Sequence, residues 1–132
     1  MTTPQLYHCL RYTDAAKAIE FLSAVGFEER LVVRDETDPS IVVHAQFQWR
    51  DNGGLMFGSI RGDVKDDVFR PGVGVANIVV ESDEAVDALV ERALEAGATL
   101  AQEPMNPPHG GRMAGVKDFD GNYWNIDSYP GV

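Results

Sequence analysis

The same succession of sequence patterns occurs twice along the chain. Each copy begins with an alternating stretch typical of a half-buried strand and continues into a helical stripe of apolar residues that closes on glycine. The landmarks are residues 6–12, Asp14 and Gly26 in the first copy, and residues 75–80, Asp83 and Gly97 in the second. A chain of this kind is expected to fold as two copies of one unit.

Three further strand candidates follow the helix in each copy. They are rich in β-branched and aromatic residues and are separated by Asp-Pro, Gly-Gly or Asp-Gly, which favour turns. The candidates are residues 27–34, 41–50 and 55–60, and then 98–102, 112–117 and 123–129. The pattern predicts an α+β fold of two βαβββ modules, residues 5–60 and 74–129, joined by a polar linker, residues 61–73. At 132 residues the chain is predicted to be a single domain, 1–132.

Helix boundaries and helix faces can both be predicted. Asp14 can accept a free backbone amide at the start of the first helix, while Gly26 and Gly97 can adopt the left-handed conformation that ends a helix. Each helix has one apolar stripe and so covers one face of a sheet. The other face of each sheet is therefore where we expect function.

Charge and cysteine content narrow the possible partners. Eleven basic residues stand against twenty-one acidic ones, a net charge of -10, which disfavours nucleic acid and anionic membrane surfaces and attracts cations. The acidic residues also fit a purely solubilising role. The single cysteine, Cys9, excludes an internal disulfide, and no leader-like or long apolar run is present, so the protein is predicted to be cytoplasmic.

The order of motifs resembles the vicinal oxygen chelate superfamily, which includes glyoxalases, extradiol dioxygenases, fosfomycin-modifying enzymes and bleomycin-binding resistance proteins. The motifs are Leu10-Arg11-Tyr12-Thr13-Asp14, Phe21-Leu22, Gly26-Phe27, Ala96-Gly97-Ala98 and Asp118-Phe119-Asp120-Gly121-Asn122-Tyr123-Trp124. The resemblance implies paired βαβββ modules whose curled mixed sheets surround a cavity, with helices on the outer faces. It also implies a homodimer.

In enzymes of that superfamily, His, Gln or Glu on the first and last strands of each module hold a divalent metal. The resemblance places these positions at Tyr7, Phe57, Ala76 and Asn125, with Ile78 replacing Ala76 if the helix ends are aligned instead. Such metals need several imidazole or carboxylate donors, so we expect no metal and no other cofactor. A divalent metal is the alternative, for which His8, His44 or His109 would have to be recruited. His8 would turn inward only if its strand slipped by one residue.

Strand alternation then selects candidate ligand-binding residues. If Tyr7 faces the cavity, Cys9 and Arg11 face it too, and Tyr123, Asn125 and Asp127 share a face of the last strand. Trp49 and Phe57 could offer ring faces to a ligand, although core packing is favoured for most large aromatic residues on strands. Arg112 could clamp an anion or form a surface salt bridge, and Cys9 is expected to be a buried, inert thiol. The complete candidate set is Tyr7, Cys9, Arg11, Trp49, Phe57, Arg112, Tyr123, Asn125 and Asp127.

These features lead to three functional hypotheses. The first is a metal-free protein that binds a small aromatic or cationic molecule, as antibiotic-sequestering relatives of the resembled superfamily do. The second is a metal-dependent lyase or dioxygenase of the same superfamily. The third is an interaction module with a vestigial cavity. The hypotheses differ in whether a metal, a small ligand or neither is bound.

Overall fold

A computed structural model describes residues 3–132, and these form two compact units that meet in sequence between Val73 and Gly74. Each unit contains a βαβββ module with one four-stranded mixed sheet, and neither sheet closes on itself. The predicted α+β fold of two repeated modules is therefore confirmed. The boundary between the two units, after Val73, coincides with the end of the predicted linker, residues 61–73.

The first unit has its strands in the order β1-β4-β3-β2. Strand β1 runs parallel to β4, and the other neighbours are antiparallel. The elements are β1 (Tyr7–Tyr12), α1 (Ala15–Val25), β2 (Glu28–Arg34), β3 (Val42–Trp49), β4 (Gly53–Ser59) and α2 (Lys65–Phe69). Helix α2 is not predicted by the sequence, because charged residues such as those of 61–73 are typical of a linker.

The second unit repeats the arrangement in the order β5-β8-β7-β6, with β5 parallel to β8. The elements are β5 (Val75–Val79), α3 (Asp83–Glu95), β6 (Thr99–Met105), β7 (Met113–Lys117) and β8 (Tyr123–Asp127). Strand β6 extends beyond its predicted end at residue 102 and includes Pro104. Proline is tolerated there because β6 is an edge strand and its pairing is irregular between Gln102 and Met105.

The helix ends follow the capping chemistry expected from the sequence. The Asp14 carboxylate accepts the Lys17 backbone N–H at 3.1 Å, and Gly26 ends α1 with a φ of 117°. In the second unit Ser82 is the N-cap and accepts the Ala85 N–H at 3.1 Å. Gly97, two residues after α3, has a φ of 102°.

Each unit has its own apolar core. In the first unit, the ring of Phe57 packs edge-to-face on Tyr12, with centroids 5.2 Å apart, and stacks on Phe47 at 6.0 Å. In the second, Trp124 and Ile126 are buried. The buried helix residues are Ala15, Ala18, Phe21, Leu22 and Val25 in α1 and Val86, Leu89, Val90 and Ala93 in α3. Most of each predicted apolar stripe is therefore buried, whereas Ile19 is half-buried and Leu94, at the end of α3, is exposed.

The Asp118–Trp124 motif is a structural element of the β7–β8 hairpin. The Asp118 carboxylate is buried and accepts hydrogen bonds from the backbone amides of Asp120 and Asn122. It also accepts the Asn122 side-chain amide and the Trp124 indole N–H, the latter at 3.0 Å. One carboxylate thus holds the turn and orients a core tryptophan.

No helix within residues 3–132 is long and apolar enough to cross a membrane. The longest, α3, has 13 residues and exposes a charged face.

We predict that Asp118→Ala lowers the free energy of unfolding by about 3 kcal/mol, because it leaves buried donors without an acceptor. Urea denaturation should show a lower midpoint. Glu91→Ala, which removes an exposed carboxylate from α3, serves as the control and should change the midpoint little. Equal effects of the two substitutions would contradict this role of Asp118.

Candidate functional site

Each sheet packs one face against its long helix, α1 in the first unit and α3 in the second, and we call the opposite face the open face. On β1, Leu10 and Tyr12 are buried toward α1, whereas Tyr7, Cys9 and Arg11 point to the other side. The predicted alternation on this strand is therefore observed. The pairing of Cys9 with Met56 places Met56 on the same open face.

Tyr7 lies flat on the open face of the first unit. Its hydroxyl oxygen accepts a hydrogen bond from the Gln46 side-chain amide at 3.1 Å. A Cβ atom placed on Gly54 would lie 2.5 Å from Cδ1 of the Tyr7 ring. The ring can rest on β4 only because residue 54 has no side chain, and the phenol group is anchored beside an amide.

Cys9 is exposed, contrary to the expectation of a buried thiol. Its strand position explains the difference, because residue 9 lies on the face of β1 that is turned away from α1. The Sγ atom lies 3.8 Å from the carbonyl oxygen of Tyr7. An accessible thiol therefore stands between Tyr7 and Arg11 on β1.

The guanidinium of Arg11 is occupied by two carboxylates of its own chain. Its Nη1 atom lies 2.7 Å from Asp63 and 2.5 Å from Asp66, at the start of α2. Hydrogen bonds from Arg11 are the main reason that the pKa values of both aspartates lie below their usual range. Arg11 lies on the open face as predicted, but its guanidinium is paired with the carboxylates of Asp63 and Asp66.

Phe57 does not lie on the open face, so its place among the expected metal positions is wrong, while the helix-side packing of both Phe57 and Trp49 is what is favoured for most aromatic residues on strands. Phe57 is 3% exposed and pairs with Leu10, which faces α1. The strand register puts the open-face position one residue earlier, at Met56. Trp49 packs on Phe27 with ring centroids 5.0 Å apart and approaches Gly26 at the end of α1. Both rings fill volume on the helix side.

The open face of the second unit carries a pair of amides. Asn125 and Asn77 are strand partners, and the Asn125 side-chain amide donates a hydrogen bond to the Asn77 side-chain oxygen. The expected metal positions Ala76 and Ile78 instead lie on the helix face, where Ile78 is buried. Because Ile78 is buried on the helix face, alternation along β5 places Asn77 on the open face. The expected metal position is therefore displaced by one residue.

Tyr123 mirrors Tyr7 in its own unit. A Cβ atom added to Gly115 on β7 would overlap the Tyr123 phenol, so this ring also lies across a glycine. Asp127 follows on the same face but is buried, and its carboxylate accepts the Tyr129 backbone N–H at 2.8 Å. Tyr123 and Asn125 are thus the more accessible members of the predicted β8 set.

Arg112 forms the surface salt bridge that was the alternative to an anion clamp. Its Nε atom lies 3.1 Å from the Asp87 carboxylate on α3, and its Nη1 donates to the Asn106 side-chain oxygen at 2.7 Å. The backbone N–H of Arg112 donates to the Ser128 hydroxyl at 2.8 Å. These contacts tie the loop before β7 to α3 and to the chain after β8.

The side chains at the expected metal positions do not fit a divalent metal. The open faces offer Tyr7, Met56, Asn77 and Asn125 there, without the imidazole and carboxylate donors that such ions require. His8 is half-buried on the helix side, where burial lowers its pKa, so the strand slip is not observed. Across residues 3–132, no three His, Cys, Asp or Glu side chains are grouped to hold a metal.

The first unit also contains a cleft of about 320 Å³ that the sequence did not reveal. It lies at the start of α1, where the Asp14 carboxylate accepts the Lys17 backbone N–H. The lining residues are Thr13, Asp14, Ala15, Ala16, Arg34, Ser40, Ile41, Ser59 and Ile60. The cleft is separate from the Tyr7 ring and the open-face amides.

Comparison with known proteins supports one fold family. A family model described as "Glyoxalase/Bleomycin resistance protein/Dioxygenase superfamily" matches residues 5–126. No curated protein matches the chain significantly.

Solved structures are similar over nearly the whole chain. A glyoxalase-related enzyme from Fulvimarina pelagi is 26% identical, with a TM-score of 0.69, over 92% of this chain and 84% of that one. TioX from Micromonospora sp. ML1 is 25% identical, with a TM-score of 0.67, over 92% and 95%. A glyoxalase/bleomycin resistance protein/dioxygenase family enzyme from Burkholderia phytofirmans PsJN is 22% identical, with a TM-score of 0.65, over 92% and 94%.

We predict that Gly54→Ala costs about 2 kcal/mol of stability, because the new methyl group collides with the Tyr7 ring near its base. Gly115→Ala should cost less, since it meets the phenol end of Tyr123, which can swing away. Thermal denaturation measures both. In the double variant Tyr7→Ala/Gly54→Ala, the glycine substitution should be less costly than in the wild type. Strict additivity would refute the ring contact as the cause.

Proposed function

Because the chain belongs to the glyoxalase/bleomycin resistance protein/dioxygenase superfamily, we propose that it is a metal-free member that binds and sequesters a small molecule. The observation that carries the proposal is the set of side chains at the expected metal positions. Tyrosine, methionine and asparagine stand there, and the two asparagines bond to each other. Such a set recognises polar and aromatic groups and supplies no Lewis acid.

The two open-face tyrosines suggest a planar ligand. Each ring approaches a glycine of a neighbouring strand, and in the proposed complex the ligand stacks on the side of the ring that is turned away from this glycine. Neutral amides stand near both rings, namely Gln46 in the first unit and Asn77 and Asn125 in the second. A ring system that carries hydrogen-bonding groups matches this chemistry.

A cationic group on the ligand is also part of the proposal. The chain carries a net charge of -10, which raises the local concentration of cations at low ionic strength. Exposed aromatic faces attract cations as well. We therefore favour a small aromatic or cationic molecule of the antibiotic type, held without chemical conversion.

We further propose that the protein acts as a homodimer in the cytoplasm. On the first unit's open face, Leu31 and Val33 are 46% and 42% exposed, and on the second unit's, Val75 is 63% exposed. A second copy would remove such apolar side chains from water. An exposed, unpaired Cys9 suits a reducing compartment.

An enzyme of the same superfamily is the second candidate. The observation that favours it is the likeness to the Fulvimarina pelagi protein, which is called a glyoxalase-related enzyme. On this hypothesis the protein is a lyase or dioxygenase that takes its metal through ligands other than the four expected positions.

We predict that titration calorimetry with bleomycin and a panel of quinone antibiotics detects a ligand, which chromatography recovers unchanged. Tyr7→Ala should weaken the binding of a ligand held by the first unit about fivefold to tenfold, and Tyr123→Ala that of a ligand held by the second unit, because each removes the stacking surface of its own unit. Tyr129→Ala is the matched control, because that ring packs on His109 outside the strands. Silence across the panel, or equal effects of all three variants, would count against the proposal.

We predict that the protein, purified without chelator and then dialysed, contains far less than one transition metal ion per chain. Elemental analysis by mass spectrometry measures this, and a chelator should leave ligand binding unchanged. A stoichiometric metal that survives dialysis would overturn the metal-free proposal and favour the enzyme.

A further inference from the structure

The segment that follows β4, residues 62–73, is held to the first unit mainly through charge. None of the α2 residues is buried, and Val64 and Val68 are 84% and 69% exposed. Helix α2 has only five residues and no side-chain cap at its start. Apart from the half-buried Phe69 and Pro71, burial of apolar side chains therefore contributes little to holding this segment, which we call the strap.

The polar contacts of the strap converge on Arg11. The Asp66 carboxylate accepts the Gly62 and Arg61 backbone amides at 2.6 and 3.3 Å, and Asp63 accepts the Lys65 amide at 3.0 Å. The strap thus positions both carboxylates itself. Arg11 then connects them to β1, while the Arg61 guanidinium anchors the start of the strap to the Val43 carbonyl at 2.8 Å.

The strap accounts for the low exposure of Arg11. The Arg11 side chain is only 11% exposed although it lies on the open face, where the neighbouring Cys9 is exposed. Arg30, on edge strand β2, has a side chain that is 41% exposed. The difference is consistent with the Asp63–Asp66 turn lying over the guanidinium.

Segments with few buried apolar contacts open at a small fraction of the free energy of global unfolding. Partly exposed ion pairs are weak and sensitive to salt. We propose that the strap opens and closes while the sheet of the first unit stays folded, and that the Arg11–Asp63–Asp66 cluster is its latch. This inference does not depend on the proposed ligand.

Opening would change what the open face can bind. With the strap closed, Arg11 is neutralised, and the cluster of one guanidinium and two carboxylates carries a net negative charge. With the strap open, a free guanidinium stands beside Cys9 on β1, and its fork of donors suits a carboxylate or phosphate group. The latch therefore switches this end of the open face between acidic and anion-binding states.

The test is the rate at which phenylglyoxal modifies Arg11, measured by peptide mass mapping under native conditions. In Asp63→Asn/Asp66→Asn, modification of Arg11 should be roughly tenfold faster than in the wild type, because the latch loses both charges. Asp67→Asn is the matched control, since it removes a carboxylate from the same helix without touching the latch. The rate at Arg30 serves as an internal reference and should stay constant.

Hydrogen exchange on the same proteins separates strap opening from unfolding. Amides of residues 62–73 should exchange faster in the double variant, while those of β3 and β4 keep their wild-type protection. In the wild type, 0.5 M NaCl should also speed the modification of Arg11, and the double variant should respond much less. The proposal fails if Arg11 reacts equally fast in all three proteins, or if β3 and β4 lose protection together with the strap.

Discussion

Burial of one face of each sheet against one helix is the constraint on which the rest of the structure depends. Side chains alternate between the two faces along a strand. Because Leu10 and Tyr12 are buried on the helix side, the side chains of Cys9 and Arg11 must point to the open face. Trp124 and Ile126 impose the same condition on β8. The chemistry of both open faces is therefore what remains after the cores have been filled.

Much of the fold could be predicted because these cores are local and repeated. The alternation of residues 7–12 and the caps at Asp14 and Gly26 are short-range patterns, and each is observed. Side-chain partners far apart in sequence could not be predicted. Nothing in the sequence near Arg11 indicates that it meets Asp63 and Asp66, more than fifty residues away.

The misplaced metal positions on β4 and β5 have one physical origin. Side chains alternate along a strand, so a shift of one residue moves a side chain to the opposite face. Phe57 and Ala76 were therefore expected on the face that Met56 and Asn77 occupy. On β8, which follows directly after the tightly bonded Asp118 turn, Asn125 lies on the expected face.

The flat tyrosines have a consequence for how this sequence can vary. Tyr7 rests on Gly54, and Tyr123 crosses Gly115, so each aromatic residue shares its space with one backbone position on a neighbouring strand. A methyl group at either glycine would have to arrive together with a smaller partner, or a reoriented one. Members of a lineage that lose one of these rings would then be free to gain a side chain opposite it, and such paired exchanges would leave a covariation signal among relatives.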